Sequence, residues 1–249
     1  MSNSVLTQML TRRSVRAFTG ESVKETDLEK IIEAAQQAPS SINGQQVSLV
    51  VIKDKSRIEE IAKIAGGQPQ VAGAEVFIAI VIDYNRTAIA AQLAGEQHVI
   101  ERSAEGLVVG AVDAGIMLNA LQTAANSLGY GSTAIGGIRN NPSAMIELLQ
   151  LPEKTFPVVG MTLGVADEAK LAQVKPRVSK ASFAMNEVYD NDAVVRGVHD
   201  YDKTLRAWWD AQNMTDMPSY SGSIAGFYKS IYFPNVASVL LQQGFDFEK

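Results

Sequence analysis

Hydrophobic positions in the N-terminal part of the chain recur at helical spacing and predict three amphipathic helices. The first carries the apolar residues of positions 5–10. The second starts at Thr26, where Glu29 completes a capping-box pattern, and it ends before Pro39 because proline disfavours helical backbone in the preceding residue. The third repeats the capping pattern from Ser56 and ends at the pair Gly66–Gly67.

Short runs of β-branched and apolar residues alternate with these helices and predict a sheet. Three runs have the composition of strands: Val47–Lys53, Glu75–Asp83 and Phe156–Ala166. The second run has no polar residue between its ends, which is typical of a strand buried on both faces. A glycine-rich segment at 129–140 is predicted to carry a fourth, short strand.

A long apolar helix is predicted over Glu105–Leu128, after a polar helix at about 87–102. Its most apolar window, residues 107–125, contains Asp113, Asn119 and Gln122. These polar residues favour a buried helix over a membrane span. A further short helix is predicted after Asn141-Pro142.

The pattern changes after Ala166, where neither a helical nor a strand period persists. We predict an extended crossing segment, a helix over 201–213, a loop over 214–223 and a last helix near 234–243. Since no repeat or linker divides the chain, we predict one α+β domain over residues 1–249, in which 166–249 form an extended C-terminal arm.

The composition of this 249-residue chain limits the metal sites and catalytic groups that it can form. It has no cysteine and two histidines, so disulfides, thiolate metal sites and cysteine nucleophiles are excluded, and histidine-based metal sites or hydrolytic triads have little to use. An enzyme with this composition would rely on a cofactor. The net charge of −5 disfavours nucleic acid and anionic membranes as partners. The N-terminal residues lack the apolar run of a signal peptide, so we expect a cytoplasmic protein. Because cysteine is absent and histidine is scarce, we also expect no metal site.

The segment "RRSVRAFT" (Arg12–Thr19) gathers three arginines around one serine. Guanidinium groups bind phosphate and carboxylate oxygens in pairs, and a serine hydroxyl adds a donor, so one interpretation is an anion site. The other is a basic helix end that complements the helix dipole. Spacing alone leaves both open.

Two further segments carry candidate binding residues. In "AIGGIRN" (Ala134–Asn140), two glycines would let backbone approach a flat ligand, although a tight turn explains them equally well. In "VKPRV" (Val174–Val178), Lys175 and Arg177 lie two apart and could face one anion from an extended chain, or form a solvated basic pair.

Taken in order, "RRSVRAFT", "APSSINGQQ", "GGQPQV", "AIGGIRNN" and "VKPR" resemble the signature segments of the FMN-dependent nitroreductase and flavin reductase superfamily. The resemblance is strongest to its NADPH-preferring, oxygen-insensitive group. It implies a nitroreductase-like α+β fold with a central mixed β-sheet flanked by helices. It also implies a homodimer with FMN at the subunit interface, the long apolar helix as the central packing element and the C-terminal arm wrapped around the partner subunit.

The resemblance also implies a role for each matching residue. The phosphate, the ribityl chain and the pyrimidine edge of FMN would be bound by Arg12, Arg13, Ser14 and Arg16, with Lys175 and Arg177 closing on the phosphate. The isoalloxazine ring would lie near Ile135, Gly136, Gly137 and Arg139, and near Ser40 and Ser41, which are usually contributed by the other subunit. Gln68 would contact the ring or the ribityl chain. Catalysis would need no protein acid or base, and Arg16 would tune the reduced ring through its positive charge.

The implied activity is NAD(P)H-dependent reduction of a small-molecule electron acceptor, such as a nitroaromatic, a quinone or free flavin, by ping-pong hydride transfer. Two alternatives are a flavin reductase that supplies reduced FMN to an oxygenase and a flavin-binding sensor without turnover. The chain departs from the family pattern at Ile42–Gly44 and at Ala134, beside the expected flavin. It also has few cations after residue 210, so Lys203 and Arg206 are candidates for recognising NADPH over NADH.

Overall fold

The computed structural model describes residues 4–247, which form two compact units. The first comprises residues 4–172 and 233–247, and the second comprises residues 173–232. Each unit is described by itself.

A four-stranded sheet forms the centre of the first unit. Its strands are β1 (Val47–Ile52), β2 (Val76–Asp83), β3 (Gly131–Ile135) and β4 (Thr155–Gly164), in the spatial order β1-β2-β4-β3. Each run predicted as a strand is present.

All three strand pairings in the described sheet are antiparallel, which corrects the expectation of a mixed sheet. The strands β2 and β3 do run in the same direction. They do not pair because β4 lies between them, antiparallel to both.

Eight helices accompany the sheet in the described part of the first unit. They are α1 (Ser4–Thr11), α2 (Glu25–Gln36), α3 (Lys55–Ile64), α4 (Pro69–Ala72), α5 (Tyr84–Leu93), α6 (Ala104–Ser127), α7 (Pro142–Leu149) and α11 (Val236–Gln242). The second unit contains α8 (Lys180–Phe183), α9 (Asn191–Asp210) and α10 (Tyr220–Tyr228).

The core lies on both faces of β2, as its continuous apolar run predicts. Alternate residues point to opposite sides: Ile78 and Ile80 belong to a cluster with α2 and α6, whereas Phe77 and Ala79 belong to one with α3 and α7. Helices therefore cover both faces of the sheet.

Several predicted helix ends differ from the observed ones because local caps compete with the sequence pattern. The capping residue of α2 is Lys24 rather than Thr26, and its backbone N–H donates to the Tyr130 hydroxyl at 3.2 Å. The cap of α3 is Asp54 rather than Ser56, and its side chain accepts from the backbone N–H of Arg57.

The polar helix predicted at about 87–102 is shorter and starts earlier. The helix α5 covers Tyr84–Leu93, and Gly95 follows in the left-handed region at φ 76°. In the second unit α9 begins at Asn191, ten residues before the predicted start, and α10 occupies part of the predicted loop.

The long helix α6 is only partly buried within one chain. Its buried residues include Gly110, Ala114 and Leu121, while Val108 and Val112 are each 55% exposed. Among residues 4–247 it is the one helix whose length and apolarity would allow a membrane crossing, which on its own is weak evidence for a span.

Candidate functional site

The arginine segment is extended rather than helical. The helix α1 ends at Thr11 and has no basic residue in its last turn, so the helix-dipole interpretation loses its support. Val15 is buried, its N–H donates to the Ser132 carbonyl at 3.0 Å, and the Thr133 hydroxyl donates to its carbonyl at 2.6 Å. These bonds align the segment beside β3. Since alternate residues of extended backbone point to opposite sides, Ser14 and Arg16 lie on the side away from Val15.

The arginines of this segment have no acidic partner in the part of the chain that the structure describes. Within residues 4–247, no carboxylate forms an ion pair with Arg12, Arg13 or Arg16. Arg12 and Arg13 line a cavity of about 390 Å³ between α1, α6 and the start of β3, and Arg13 also donates to the Ala172 carbonyl at 3.4 Å. Guanidinium groups at a cavity that form no ion pair among the described residues provide a donor set for an anion such as a phosphate.

The glycine-rich segment continues from β3 and brings Gln68 to its backbone. The strand ends at the buried Ile135, and Gly136–Asn140 form a short 3₁₀ turn. A Cβ at Gly137 would lie 2.7 Å from both the Ala65 carbonyl oxygen and Gln68 Nε2, so only glycine fits here.

Arg139 follows in the same turn and is half-buried. It donates to the Val158 carbonyl, and its guanidinium lies 5.3 Å from the centre of the Phe233 ring. The structure thus places Gln68, Gly137 and Arg139 together at the end of β3, whose start lies beside the arginine segment.

The serine loop is held by α6. The Ser41 N–H donates to the Asp113 carboxylate, and the Ser40 hydroxyl accepts from the Gln45 N–H at 3.1 Å. Three residues of this loop, Ile42, Asn43 and Gln45, have positive φ angles although none is glycine.

Lys175 and Arg177 lie in the second unit, where aromatic residues of α9 contact the Lys175 side chain and the backbone of Pro176. The Lys175 ammonium lies 4.8 Å from the Trp209 ring centre and 5.9 Å from that of Trp208. Pro176 accepts from the Tyr201 hydroxyl at 2.8 Å, and Arg177 donates to the Lys175 carbonyl at 2.8 Å. That these cations and the arginine segment bind one phosphate stays a prediction.

The Arg206 side chain forms hydrogen bonds and an ion pair within the second unit. Its guanidinium donates to the carbonyls of Met214 at 2.8 Å and Met217 at 2.6 Å, and pairs with Asp210 at 2.9 Å. These bonds occupy the donors that recognition of a nucleotide 2′-phosphate would need. Of the two candidates for that role, Lys203 is the one with a mostly exposed side chain.

A buried polar cluster beside α5 was not predicted from the sequence. The Glu101 carboxylate pairs with Lys154 at 2.5 Å and with His98 Nδ1 at 2.6 Å, and His98 Nε2 lies 2.8 Å from the Thr87 hydroxyl. Burial acts to raise the pKa of Glu101, but the Lys154 hydrogen bond, the adjacent backbone and His98 outweigh it, so the pKa is lowered. Burial, with nearby carboxylates, raises the pKa of Tyr84 to about 12, and its hydroxyl donates to the Gly106 carbonyl.

The second missed group is Asp113 with Gln46, which are both buried. A signal for Asp113 was available, because a carboxylate inside an apolar helical window has to find donors when it is buried. No comparable signal marks Gln46, which lies at the end of a polar run.

Comparison with known proteins identifies the family to which this chain belongs. Residues 9–165 match the model of the Nitroreductase family, and residues 175–248 match that of the C-terminal domain of the same family. The chain therefore belongs to the Nitroreductase family, as its signature segments predicted.

Particular relatives cover essentially the whole chain. The FMN reductase [NAD(P)H] of Bacillus subtilis is 39% identical over 99% of this chain and 100% of its own length. The NADPH-flavin oxidoreductase of Vibrio harveyi is 31% identical over 97% of this chain and 98% of its own. The structure of B. megaterium NfrA2 superimposes with a TM-score of 0.95 at 38% identity, covering 99% of this chain and all of that one.

These comparisons confirm the predicted nitroreductase-like fold and the prediction of an oxidoreductase. The expectation of FMN as cofactor and NAD(P)H as reductant agrees with the names of these relatives. The individual site residues remain predictions that rest on the geometry above.

Proposed function

We propose that this protein is an NAD(P)H-dependent FMN oxidoreductase that reduces small electron-poor acceptors in a ping-pong cycle. The observation that carries the proposal is the arginine segment, whose Arg12, Arg13 and Arg16 lie on one extended stretch beside β3 and have no carboxylate partner among the described residues. Such a donor set fits the phosphate and polar edge of a flavin nucleotide.

The residues of the first unit suit different parts of FMN. Arg12, Arg13 and Ser14 would bind the phosphate and ribityl chain, and Arg16 the pyrimidine edge. The backbone around Gly137, which permits close approach, would lie against the ring, with Gln68 beside it. Ser40 and Ser41 would contact the ring from a second side.

When bound, FMN accepts a hydride from reduced nicotinamide nucleotide and passes two electrons to an acceptor. The protein binds and orients both substrates, and the guanidinium of Arg16 offsets the negative charge of the reduced ring. No acid or base from the chain is required, which suits its two histidines and lack of cysteine.

Anaerobic reduction tests the proposal. Purified protein loaded with FMN should be yellow, and stoichiometric NADPH or NADH should bleach its absorbance near the flavin maximum when oxygen is absent. Adding a quinone or a nitroaromatic should restore the colour. Protein that cannot be loaded with FMN would refute the proposal, and protein that binds FMN without bleaching would indicate a flavin-binding sensor.

A second candidate is a flavin reductase that releases reduced FMN to an oxygenase, and the names of the B. subtilis and V. harveyi relatives favour considering it. Steady-state kinetics separates the two. A flavin reductase should show a higher kcat/KM for free FMN than for quinones or nitroaromatics, whereas the main proposal expects the reverse.

We also propose a cytoplasmic homodimer of single-domain subunits that pack through α6. Val108 and Val112, one turn apart, leave an apolar stripe of this helix exposed in one chain, and an exposed stripe of this kind is typical of an interface. Light scattering should therefore give a mass of twice 26.8 kDa. A mass of 26.8 kDa for FMN-loaded protein would refute the dimer.

A further inference from the structure

The serine loop between α2 and β1 adopts a backbone conformation that is costly for its sequence. Ile42, Asn43 and Gln45 have φ angles of 51°, 55° and 52°. The left-handed region is unfavourable for residues with a Cβ, and most of all for a β-branched residue such as isoleucine. Within one chain the Ile42 side chain is 96% exposed, so its burial in that chain does not offset the strain. Other contacts must hold the loop.

The carboxylate of Asp113 contacts both ends of this loop. Its Oδ2 accepts from the Ser41 N–H at 3.2 Å and from Gln46 Nε2 at 2.5 Å. Asp113 is 5% exposed and Gln46 3%. Within residues 4–247, no lysine, arginine or histidine forms an ion pair with Asp113. The loop therefore supplies donors that this buried carboxylate requires.

The far end of the loop is fixed by the sheet and by a glycine. The Gln46 carbonyl accepts from the Asp83 N–H at 2.9 Å, at the end of β2. A Cβ at residue 44 would collide with Gln46 Oε1, so Gly44 leaves the space in which the Gln46 side chain turns towards Asp113. The helix α6, the sheet and the loop are thus joined through one carboxylate.

We propose that Asp113 is a positioning residue, which holds Ser41 and Gln46 so that the strained loop 41–45 presents Ser40 and Ser41 to the flavin. The flavin part of this inference rests on the proposed function. The anchoring part concerns the FMN-free protein alone, because every contact that carries it lies within the chain.

Hydrogen exchange of FMN-free protein tests the anchor directly. In Asp113→Ala the Ser41 N–H loses its acceptor, and we expect exchange of a peptide covering residues 40–46 to become about tenfold faster. Asp113→Asn keeps one acceptor oxygen and should give an intermediate rate. Leu121→Ala is the control for a general loss of stability: it truncates a buried side chain eight residues further along the same helix, so exchange in this peptide should be faster in Asp113→Ala than in Leu121→Ala.

FMN titration tests the consequence. We expect Asp113→Ala to raise the Kd for FMN about tenfold and to slow flavin reduction at saturating FMN, with Asp113→Asn between it and the wild type. Unchanged exchange in both Asp113 variants would refute the anchor. Faster exchange with unchanged Kd and reduction rate would refute the positioning role. Wild-type protein that binds no FMN would instead refute the proposed function, while the exchange result would still decide the anchor. If Asp113→Ala does not fold, Asp113→Asn provides the same comparison.

Discussion

Replacing Arg16 by alanine should slow reduction of the bound flavin by roughly 10- to 100-fold, even when FMN is saturating. The reason is electrostatic: negative charge develops on the ring as the hydride arrives, and the Arg16 guanidinium that we propose beside the ring would stabilise that charge. Stopped-flow absorbance under anaerobic conditions, with NADPH and NADH in separate series, measures the rate.

Two further variants distinguish an effect on the rate of flavin reduction from an effect on FMN binding. Arg16→Lys keeps the charge but loses the planar pair of donors, so it should recover part of the rate. Arg13→Ala should weaken FMN binding, because Arg13 is expected at the phosphate, and should leave the rate of the saturated enzyme near the wild-type value. If FMN-saturated Arg16→Ala is reduced as fast as the wild type, the tuning role is wrong.

Replacing Lys154 by methionine should lower the free energy of unfolding by about 3 kcal/mol at pH 7. The Glu101 side chain is 3% exposed, and removal of the Lys154 ammonium leaves its carboxylate buried with His98 as its ion-pair partner among residues 4–247. Urea denaturation followed by circular dichroism measures the change.

The loss should depend on pH in a defined direction. In the wild type the pKa of Glu101 is lowered below its unfolded value, so the stabilisation is complete above about pH 4.5 and is lost as the pH falls through the folded pKa. In Lys154→Met the folded pKa of Glu101 should rise. The deficit relative to the wild type should then be largest at pH 7 and shrink towards pH 4.5, as Glu101 is protonated.

An exposed pair of the same chemistry provides the control. Lys53 pairs with Glu25 at 2.9 Å, but both side chains are more than half exposed. Lys53→Met should therefore cost less than about 1 kcal/mol, with little change between the two pH values. Equal losses in Lys53→Met and Lys154→Met would show that burial of Glu101 is not the cause.

The elements with strong local patterns were predictable from the sequence. The four strands and the long helix α6 were found because apolar periodicity and strand composition are local properties, whereas the signature segments were found by their resemblance to a known family. The helix caps were harder to predict, because Ser56 and Asp54 both have side chains that can cap a helix and only the folded backbone decides between them.

The pairing of strands and the buried polar contacts could not be read from the sequence. Which strand lies between β2 and β3 depends on packing across the whole unit. The contacts of Asp113 and Glu101 join residues that are far apart in the chain, such as Gln46 with Asp113 and Glu101 with Lys154. Asp113 stands out in its apolar window, but a single sequence contains no signal for which residue is its partner or that of Glu101.

The bond between Val15 and Ser132 has a consequence for solubility. An edge strand with open carbonyl and N–H groups can pair with another molecule and start aggregation. On β3 the Ser132 carbonyl is already taken by the Val15 N–H, and arginines flank that contact on both sides in the chain. The segment expected to bind the flavin phosphate therefore also covers the edge of the sheet at β3. Deleting the N-terminus up to residue 19 should therefore make the protein prone to aggregation beyond the dimer.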